Sequence, residues 1–469
     1  MTIRTNPTKL QPVPPRKVSV PQRRTSASSS PTDSFKAVLP PAKKVVQFAL
    51  EKLQPKNKGS SRDTADALRD ADQILRGPAV DRASDGTAEV TRDAAKVDDS
   101  RDTNVNDPRH QAALEQLEAN KPLETAALET MTPSQRAQYQ SVKDRCLEAN
   151  DPVAALALEK MLLDGKLPGD KDLKGEGTTL DQLAKLSDEN TPLAEGIDRN
   201  QLVTDLVQEL ATPSSIGQGQ RGTCAPTTLA IQLAMHDPAE YARIAAGLAS
   251  PEGTVQLAGG QTITREANSI EGDTSNRAIT QRLIGGAFME LANGDRNFDD
   301  DTGEGKGAWS NDLDVLYEAV TGKKMSDQRL TTDEQRAGAM DIIDTQLRAG
   351  TEVPVAISWG TEGGYHKVLV TGTETVDGKE YVNYTNPWGR EERMPREDFE
   401  KRLADISYDP RAQVLGTVLQ GIDVVKDGID VVKNGIDTVT DGIRDVFGRL
   451  DPRDLQMDVR LAQFRSIKL

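Results

Sequence analysis

The chain has 469 residues, 4% aromatic residues, a formal net charge of −16 and a mean hydropathy of −0.57. This length predicts two or more folding units joined by polar connections. No run reaches the roughly 18 apolar residues of a membrane span, and an acidic body argues against nucleic acid because it repels phosphate. The two cysteines, Cys146 and Cys224, exclude a disulfide framework and suit a reducing compartment.

Residues 1–109 are predicted to be a disordered or linker region that is basic at its start. Residues 1–62 contain 13 Lys or Arg against two acidic residues, with many Pro and Ser, which is typical of an unfolded tail. The start lacks the apolar stretch of a secretory signal, so we expect the protein to be made in the cytoplasm. This composition would also suit a bacterial effector exported by a dedicated injection system.

Residues 110–199 are predicted to form a helical module. Thr132, Pro133 and Gln135 have the pattern of an N-cap, a proline at the first helical position and a reciprocal capping residue. Cys146 falls on the helix that follows, where we expect a cysteine without chemistry.

His236, which precedes Asp-Pro, is expected to close a later helix as a structural cap.

Chemistry is expected in residues 200–409, beginning with Cys224. A glycine-rich turn precedes this cysteine, and an apolar helical run follows it. Cys224 is therefore predicted to lie at a helix N-terminus, where the backbone N–H groups and the helix dipole favour the thiolate.

The same turn supplies candidates for stabilising an oxyanion. Gln218 lies six residues before the cysteine, and its amide together with the backbone N–H of Cys224 can donate to a developing negative charge. Gly217, Gly219 and Gly222 are expected to adopt positive φ and bring the backbone close to a substrate.

The base is expected to be His366, at the start of a predicted strand. The next predicted strand ends at Asn386, and Trp388 follows two residues later. Adjacent strands can place the Asn386 amide oxygen on the imidazole N–H, which selects the tautomer that faces sulfur. Trp388 can then shield the pair from water.

This pattern, Gln-Gly-x-x-Gly-x-Cys, then His, then Asn-Pro-Trp-Gly, resembles the papain superfamily of cysteine peptidases, calpains included. The separation of 142 residues between Cys224 and His366 agrees with the roughly 130 to 150 expected for papain-type enzymes. The second half also resembles bacterial peptidases that process double-glycine leaders, which usually carry Asp where this chain has Asn386. Thr223 and Ala225 depart from the Ser or Asp and the Trp that usually flank the cysteine in papain and calpain.

The resemblance implies an α+β, papain-like fold with a helical lobe and an antiparallel sheet lobe. It implies catalytic roles for Cys224, His366 and Asn386, an oxyanion role for Gln218, a protein or peptide substrate, and no metal or organic cofactor. Two alternatives stay open: an acyl transferase or transamidase with the same triad, and a non-catalytic adaptor that binds partners through its tails.

Residues 410–448 are predicted to form an amphipathic helix with a heptad repeat, followed by a tail at 449–469. Ile and Val recur at three and four residues from 422 to 446, which is typical of helix pairing. A glycine in each repeat weakens the helix alone, so residues 415–446 are expected to need a partner surface. The alternatives are self-association, packing on their own domain and contact with a membrane surface. A further acidic stretch, 295–301, is expected to be a solvated loop.

Overall fold

The structure, a computed structural model, describes residues 60–76, 108–270, 275–294, 308, 310–359 and 364–427. Apart from Ser60, these residues belong to one unit of the chain, Ser61–Leu469. The predictions for residues 1–59, 77–107, 295–301 and 428–469 lie outside the described residues.

The described residues contain thirteen α-helices, whose N-termini are often set by capping side chains. Thr132 caps one of them as predicted, since its hydroxyl accepts from the Gln135 N–H while the Gln135 side chain accepts from the Thr132 N–H. In chain order the helices are α1 (Ser60–Arg76), α2 (Pro108–Glu129), α3 (Pro133–Glu148), α4 (Pro152–Leu163), α5 (Thr179–Ser187), α6 (Arg199–Ala211), α7 (Cys224–His236), α8 (Pro238–Ala249), α9 (Ile279–Asn293), α10 (Ser310–Thr321), α11 (Asp333–Arg348), α12 (Arg396–Arg402) and α13 (Pro410–Asp427).

Eight strands form two antiparallel sheets in the same ranges, so the expected α+β class is confirmed. A small sheet pairs the first two strands, and a six-stranded sheet has the order β3-β8-β4-β5-β6-β7. The strands are β1 (Thr254–Gln256), β2 (Thr262–Thr264), β3 (Ser326–Arg329), β4 (Val353–Trp359), β5 (Gly364–Val376), β6 (Lys379–Asn386), β7 (Arg390–Pro395) and β8 (Leu403–Tyr408).

Two tight turns set the register of the strands that carry the candidate site. Asp377 and Gly378 join β5 to β6 with φ of 50° and 77°, as a two-residue hairpin requires. A three-residue loop ending at Gly389, also with φ of 77°, joins β6 to β7 and places Asn386 opposite Arg390. The ends of β5, β6 and β7 are thereby held side by side.

The buried apolar side chains form two cores that meet at β5. The first core contains side chains from α1 to α10 and Leu369, whereas the second lies among α11, α12 and the large sheet and includes Val368 and Val370. Successive side chains of a strand point to opposite faces, so β5 contributes to both cores. The first core also runs across the expected boundary at 199–200, since side chains from α4 and α6 pack together in it.

Helix α1 lies within the stretch predicted to be a linker. Ala67 and Ala71 are buried, and Ile74 and Leu75 pack against the first core, which gives the i, i+4, i+7, i+8 spacing of a helix face. Two of these four side chains are alanines, so the apolar face of α1 is only weakly hydrophobic in sequence. The helix is therefore stabilised by packing against the first core. Arg76 at its end pairs with Glu391 of β7 at 2.6 Å.

Helix α13 is the described part of the predicted heptad segment, and it packs against α11. A Cβ added at Gly416 would lie 2.0 Å from the Thr345 carbonyl oxygen, which shows how closely the helices approach. Gln346 donates to the Asp409 carbonyl oxygen at 2.8 Å at the start of α13. The first turns of the segment therefore pack on their own domain, and self-association stays a prediction for the rest. None of the described helices is long and apolar enough to cross a membrane.

Candidate active site

Cys224 is the first residue of α7 and is half-buried, as predicted for a cysteine at a helix N-terminus. The first N–H groups of a helix have no partner within the helix, and the dipole there favours an anion. The Thr228 hydroxyl, one turn later, donates to the Cys224 carbonyl oxygen at 2.8 Å and reaches the Lys367 carbonyl oxygen at 3.3 Å. This contact joins the start of α7 to β5.

The large sheet places His366 and Asn386 next to each other. His366 lies on β5 with 6% of its surface exposed, and Asn386 is the last residue of β6 and fully buried. The Nε2 atom of His366 is 2.8 Å from Oδ1 of Asn386. With Nε2 occupied in this way, Nδ1 is the ring nitrogen left to face Cys224.

The contact between Cys224 and His366 sets the charge state of both groups. Burial by itself would raise the pKa of the Cys224 thiol, but the hydrogen bond and the charge of His366 outweigh it and lower that pKa. Burial would likewise lower the pKa of His366, yet Cys224 and Asn386 raise it above its ordinary value. The site therefore favours a thiolate beside an imidazolium.

Asn386 makes two further hydrogen bonds that hold its side chain. Its Nδ2 donates to Oε1 of Glu392 at 3.0 Å, and its Oδ1 accepts the Trp388 N–H at 3.2 Å. The amide therefore uses its oxygen toward His366 and its nitrogen toward β7.

Two tryptophans cover the imidazole. The ring centroids of Trp388 and of Trp359, at the end of β4, each lie 5.0 Å from that of His366, and the indoles meet edge to face at 5.3 Å. The Arg390 guanidinium lies 5.4 Å from the Trp388 ring. The predicted position of Trp388 against the pair is observed. Sequence reasoning missed Trp359 as a member of the site.

The turn that carries Gln218 is fastened to the loop after Asn386. The Gln218 N–H donates to the Pro387 carbonyl oxygen at 2.7 Å, and Gly217 forms a β-bridge with Trp388. The Gln218 amide nitrogen also donates to the Arg221 carbonyl oxygen. The candidate oxyanion residue and the partner of the histidine thus belong to one connected backbone unit.

The expectation that Gly217, Gly219 and Gly222 all adopt positive φ is wrong for two of them. Gly219 has φ of 53°, and a Cβ there would lie 2.1 Å from the Ser275 carbonyl oxygen. Gly217 and Gly222 lie outside the positive-φ region, and a Cβ at Gly222 would meet nothing within 4 Å. The close approach of another segment at Ser275, which is remote in sequence, decides which glycine is required.

A buried lysine next to His366 was also missed by sequence reasoning. Lys367 is 5% exposed, and its Nζ donates to Oδ1 of Asp405 on β8 at 2.5 Å. Burial and the neighbouring Asp327 raise the pKa of Asp314, near this lysine, to about 7. In the sequence, a lysine at the start of a strand looks the same whether it is buried or exposed to solvent. Only its burial and its partner on β8 show that Lys367 is a buried residue.

The other candidate residues lie away from this site. Cys146 lies on α3 as predicted and is fully buried in the first core, where burial raises its thiol pKa. His236 ends α7 as predicted, but it pairs with Glu352 through a side-chain contact that the sequence did not indicate. Among the described residues, no group of three or more His, Cys, Asp or Glu is arranged to hold a metal ion.

Comparison of the sequence with models of known protein families finds no match, and comparison with curated proteins finds none either.

Proposed function

We propose that this protein is a cysteine peptidase that hydrolyses peptide bonds with Cys224, His366 and Asn386. The observation that carries the proposal is the 2.8 Å contact between His366 Nε2 and Asn386 Oδ1, together with the proximity of the same imidazole to Cys224, which raises the pKa of His366 and lowers that of the thiol. A nucleophile, a base and a residue that orients the base are thereby in mutual reach.

In the first half of the reaction the Cys224 thiolate attacks the carbonyl carbon of a peptide bond. The carbon–sulfur bond forms while the carbonyl π electrons move to oxygen. The second hydrogen of Gln218 Nε2 and the backbone N–H of Cys224 are the proposed donors to that oxyanion. Collapse of the intermediate breaks the carbon–nitrogen bond, and the His366 imidazolium protonates the departing amine, leaving a thioester.

In the second half the neutral His366 accepts a proton from water as the water attacks the thioester. The carbon–sulfur bond breaks, a carboxylic acid leaves, and the thiolate and the imidazolium are restored. Asn386 keeps Nδ1 of His366 directed at the Cys224 sulfur throughout. The indoles of Trp359 and Trp388 keep bulk water away from the hydrogen bond between His366 and Asn386.

A papain-like arrangement of two lobes is part of the same proposal. Cys224 begins a helix whose apolar side chains belong to the first core, whereas His366 and Asn386 lie on the large sheet that borders the second core. This division of the three residues between helix and sheet supports a cleft along the contact of α7 with β5.

The test compares alkylation by iodoacetamide in the wild type, Cys224→Ala and His366→Ala, with the modified residue identified by mass spectrometry. We expect rapid labelling of Cys224 near neutral pH and a rate at least about tenfold lower in His366→Ala, because the thiolate loses its imidazolium partner. Cys146 is the internal control, since a fully buried thiol reacts slowly in the folded protein.

Incubation with a mixture of peptides then tests directly whether the protein hydrolyses peptide bonds. In the wild type we expect pairs of products whose masses sum to that of the parent peptide plus one water, and we expect no such products in Cys224→Ala. Slow labelling of Cys224 that matches Cys146 and is indifferent to His366 would reject the peptidase and leave a non-catalytic protein.

A further inference from the structure

The Asn386 side chain must present its oxygen, not its nitrogen, to His366. An amide has nearly the same shape in its two flipped orientations, so packing alone does not select one. If Asn386 Nδ2 faced the imidazole, its N–H would meet the N–H of the His366 tautomer that is protonated on Nε2. Two donors would then face each other without an acceptor. The Trp388 N–H, which donates to Oδ1 at 3.2 Å, favours the productive orientation from one side, and a residue that accepts from Nδ2 would favour it from the other.

Glu392 has the required chemistry and position. Its Oε1 lies 3.0 Å from Nδ2 of Asn386, and a carboxylate can only accept at this contact. The reversed amide would direct Oδ1 at the carboxylate and Nδ2 at the Trp388 N–H, so it would lose the hydrogen bonds with Glu392 and Trp388 as well as the one from His366 Nε2. The carboxylate thus distinguishes the two orientations of Asn386.

Glu392 is itself held by two neighbours. The Tyr384 hydroxyl donates to Oε2 at 2.8 Å, and Nε of Arg390 donates to Oε1 at 2.5 Å. Tyr384 is the direct cross-strand partner of Glu392, so the register of β6 and β7 builds this contact. With 20% of the side chain exposed, the carboxylate is largely shielded from solvent.

We infer that Glu392 is a positioning residue of the site, which acts through Asn386 by holding its amide oxygen toward His366. This inference rests on the proposed function, because it assigns Glu392 a place behind the same three residues. The negative charge of Glu392 also favours the protonated form of His366. Substitution is therefore expected to change both the reactivity of Cys224 and its dependence on pH.

The experiment measures the rate at which iodoacetate alkylates Cys224 in the full chain as a function of pH. This reagent is anionic, so its rate falls on the alkaline side as the His366 imidazolium loses its proton. We expect Glu392→Ala to react about tenfold more slowly near neutral pH. In Glu392→Gln, Oε1 still accepts from Asn386 but the charge is lost, so we expect more of the rate to be retained. In both variants the alkaline fall should move to lower pH.

Glu391→Gln is the matched control. This residue is adjacent on β7 and pairs with Arg76 of α1, away from Asn386. We expect wild-type rates and a wild-type pH profile, which separates the effect of Glu392 from a general loss of charge on the strand.

Wild-type rate and profile in Glu392→Ala would overturn the inference. Should Glu392→Ala fail to fold by circular dichroism, Glu392→Leu decides, because it fills similar space without an acceptor for Asn386 Nδ2, and a wild-type rate and profile there overturn the inference. Failure of the proposed function gives a different result, since the wild type itself would then react slowly and without dependence on His366.

Discussion

The two cysteines of the chain occupy opposite environments. Cys146 is fully buried in the first core, where removal from water raises the pKa of its thiol. Cys224 also experiences burial, but His366 and the Lys367 backbone N–H stabilise its thiolate enough to lower its pKa. The neighbouring imidazole and the Lys367 N–H therefore account for the opposite pKa shifts of the two thiols.

Gly389, outside the proposed triad, lies where the loop after β6 closely approaches another segment of the chain. It has φ of 77°, and a Cβ there would lie 2.9 Å from the Ser215 carbonyl oxygen, in the segment that leads into the Gln218 turn. We predict that Gly389→Ala pushes the two segments apart and lowers the rate of Cys224 alkylation by about tenfold. The measurement is the iodoacetamide rate at fixed pH.

Gly378 provides a matched control for that substitution. It has the same φ of 77° in the hairpin between β5 and β6, but a Cβ there would meet nothing within 4 Å. Gly378→Ala should cost about 1–2 kcal/mol of stability through backbone strain alone, and Cys224 should react at the wild-type rate. Equal rates in both alanine variants would mean that the contact at Ser215 has no part in the site.

Helix α7 is attached to the sheet part of the fold at both of its ends. Thr228 reaches the Lys367 carbonyl oxygen near the start, and His236 at the end pairs with Glu352, the residue before β4. A helix held at two points cannot tilt without breaking one of the contacts. The position of Cys224 relative to His366 therefore depends in part on a pair at the far end of the same helix.

The His236 pair predicts a dependence of stability on pH. Burial by itself would lower the pKa of His236, but Glu352 outweighs it and raises that pKa in the folded state. The folded protein therefore holds this proton more tightly than the unfolded chain, whose histidine pKa is about 6.5. The stabilisation is complete below that pH and is lost as the pH rises through the folded-state pKa.

Glu352→Gln removes the charge that raises this pKa. We expect the variant to be less stable than the wild type by about 1 kcal/mol near pH 6, with the difference shrinking toward pH 9, as measured by urea unfolding. Asp398→Asn breaks an exposed pair with Lys401 and should show no such trend, because no histidine is involved. A stability difference in Glu352→Gln that stays constant with pH would contradict the assignment.

The two cores share strand β5, which couples the helical and sheet parts of the protein. Leu369 belongs to the first core, and its neighbours Val368 and Val370 belong to the second. Loss of either core would expose one face of β5 and the side chains on it. The site spans the same junction, since Cys224 begins α7 and His366 lies on β5.

This sharing predicts that both cores unfold together. In the Trp309→Phe, Cys224→Ala variant, fluorescence comes from Trp359 at the end of β4 and Trp388 in the loop after β6, and Cys146 in the first core is the only thiol. We expect urea curves from fluorescence and from brief iodoacetamide labelling of Cys146 to have the same midpoint. The labelling of Cys146 without urea gives the baseline. If Cys146 stays protected from iodoacetamide at urea concentrations above the fluorescence transition, the two cores unfold independently.

Local patterns were sufficient where the structure depends on neighbours along the chain. The helix that starts at Cys224, the capping of α3 by Thr132 and the strands that carry His366 and Asn386 follow from periodicity, turn residues and cap chemistry. The proximity of His366 to Asn386 was also predictable, because a short hairpin brings adjacent strands together.

Contacts between distant segments required the tertiary structure. Nothing local marks Lys367 as buried beside Asp405, Trp359 as packed on His366, or residues 60–76 as a helix against the first core. The pairing of Glu392 with Tyr384 could have been read from the loop that joins β6 to β7, had its three-residue length been assigned. The sequence by itself determined the order and chemistry of the candidate site, through short-range geometry. The tertiary structure alone decided which polar groups lose water and which partners they meet, because burial depends on surfaces that the chain brings together from far apart.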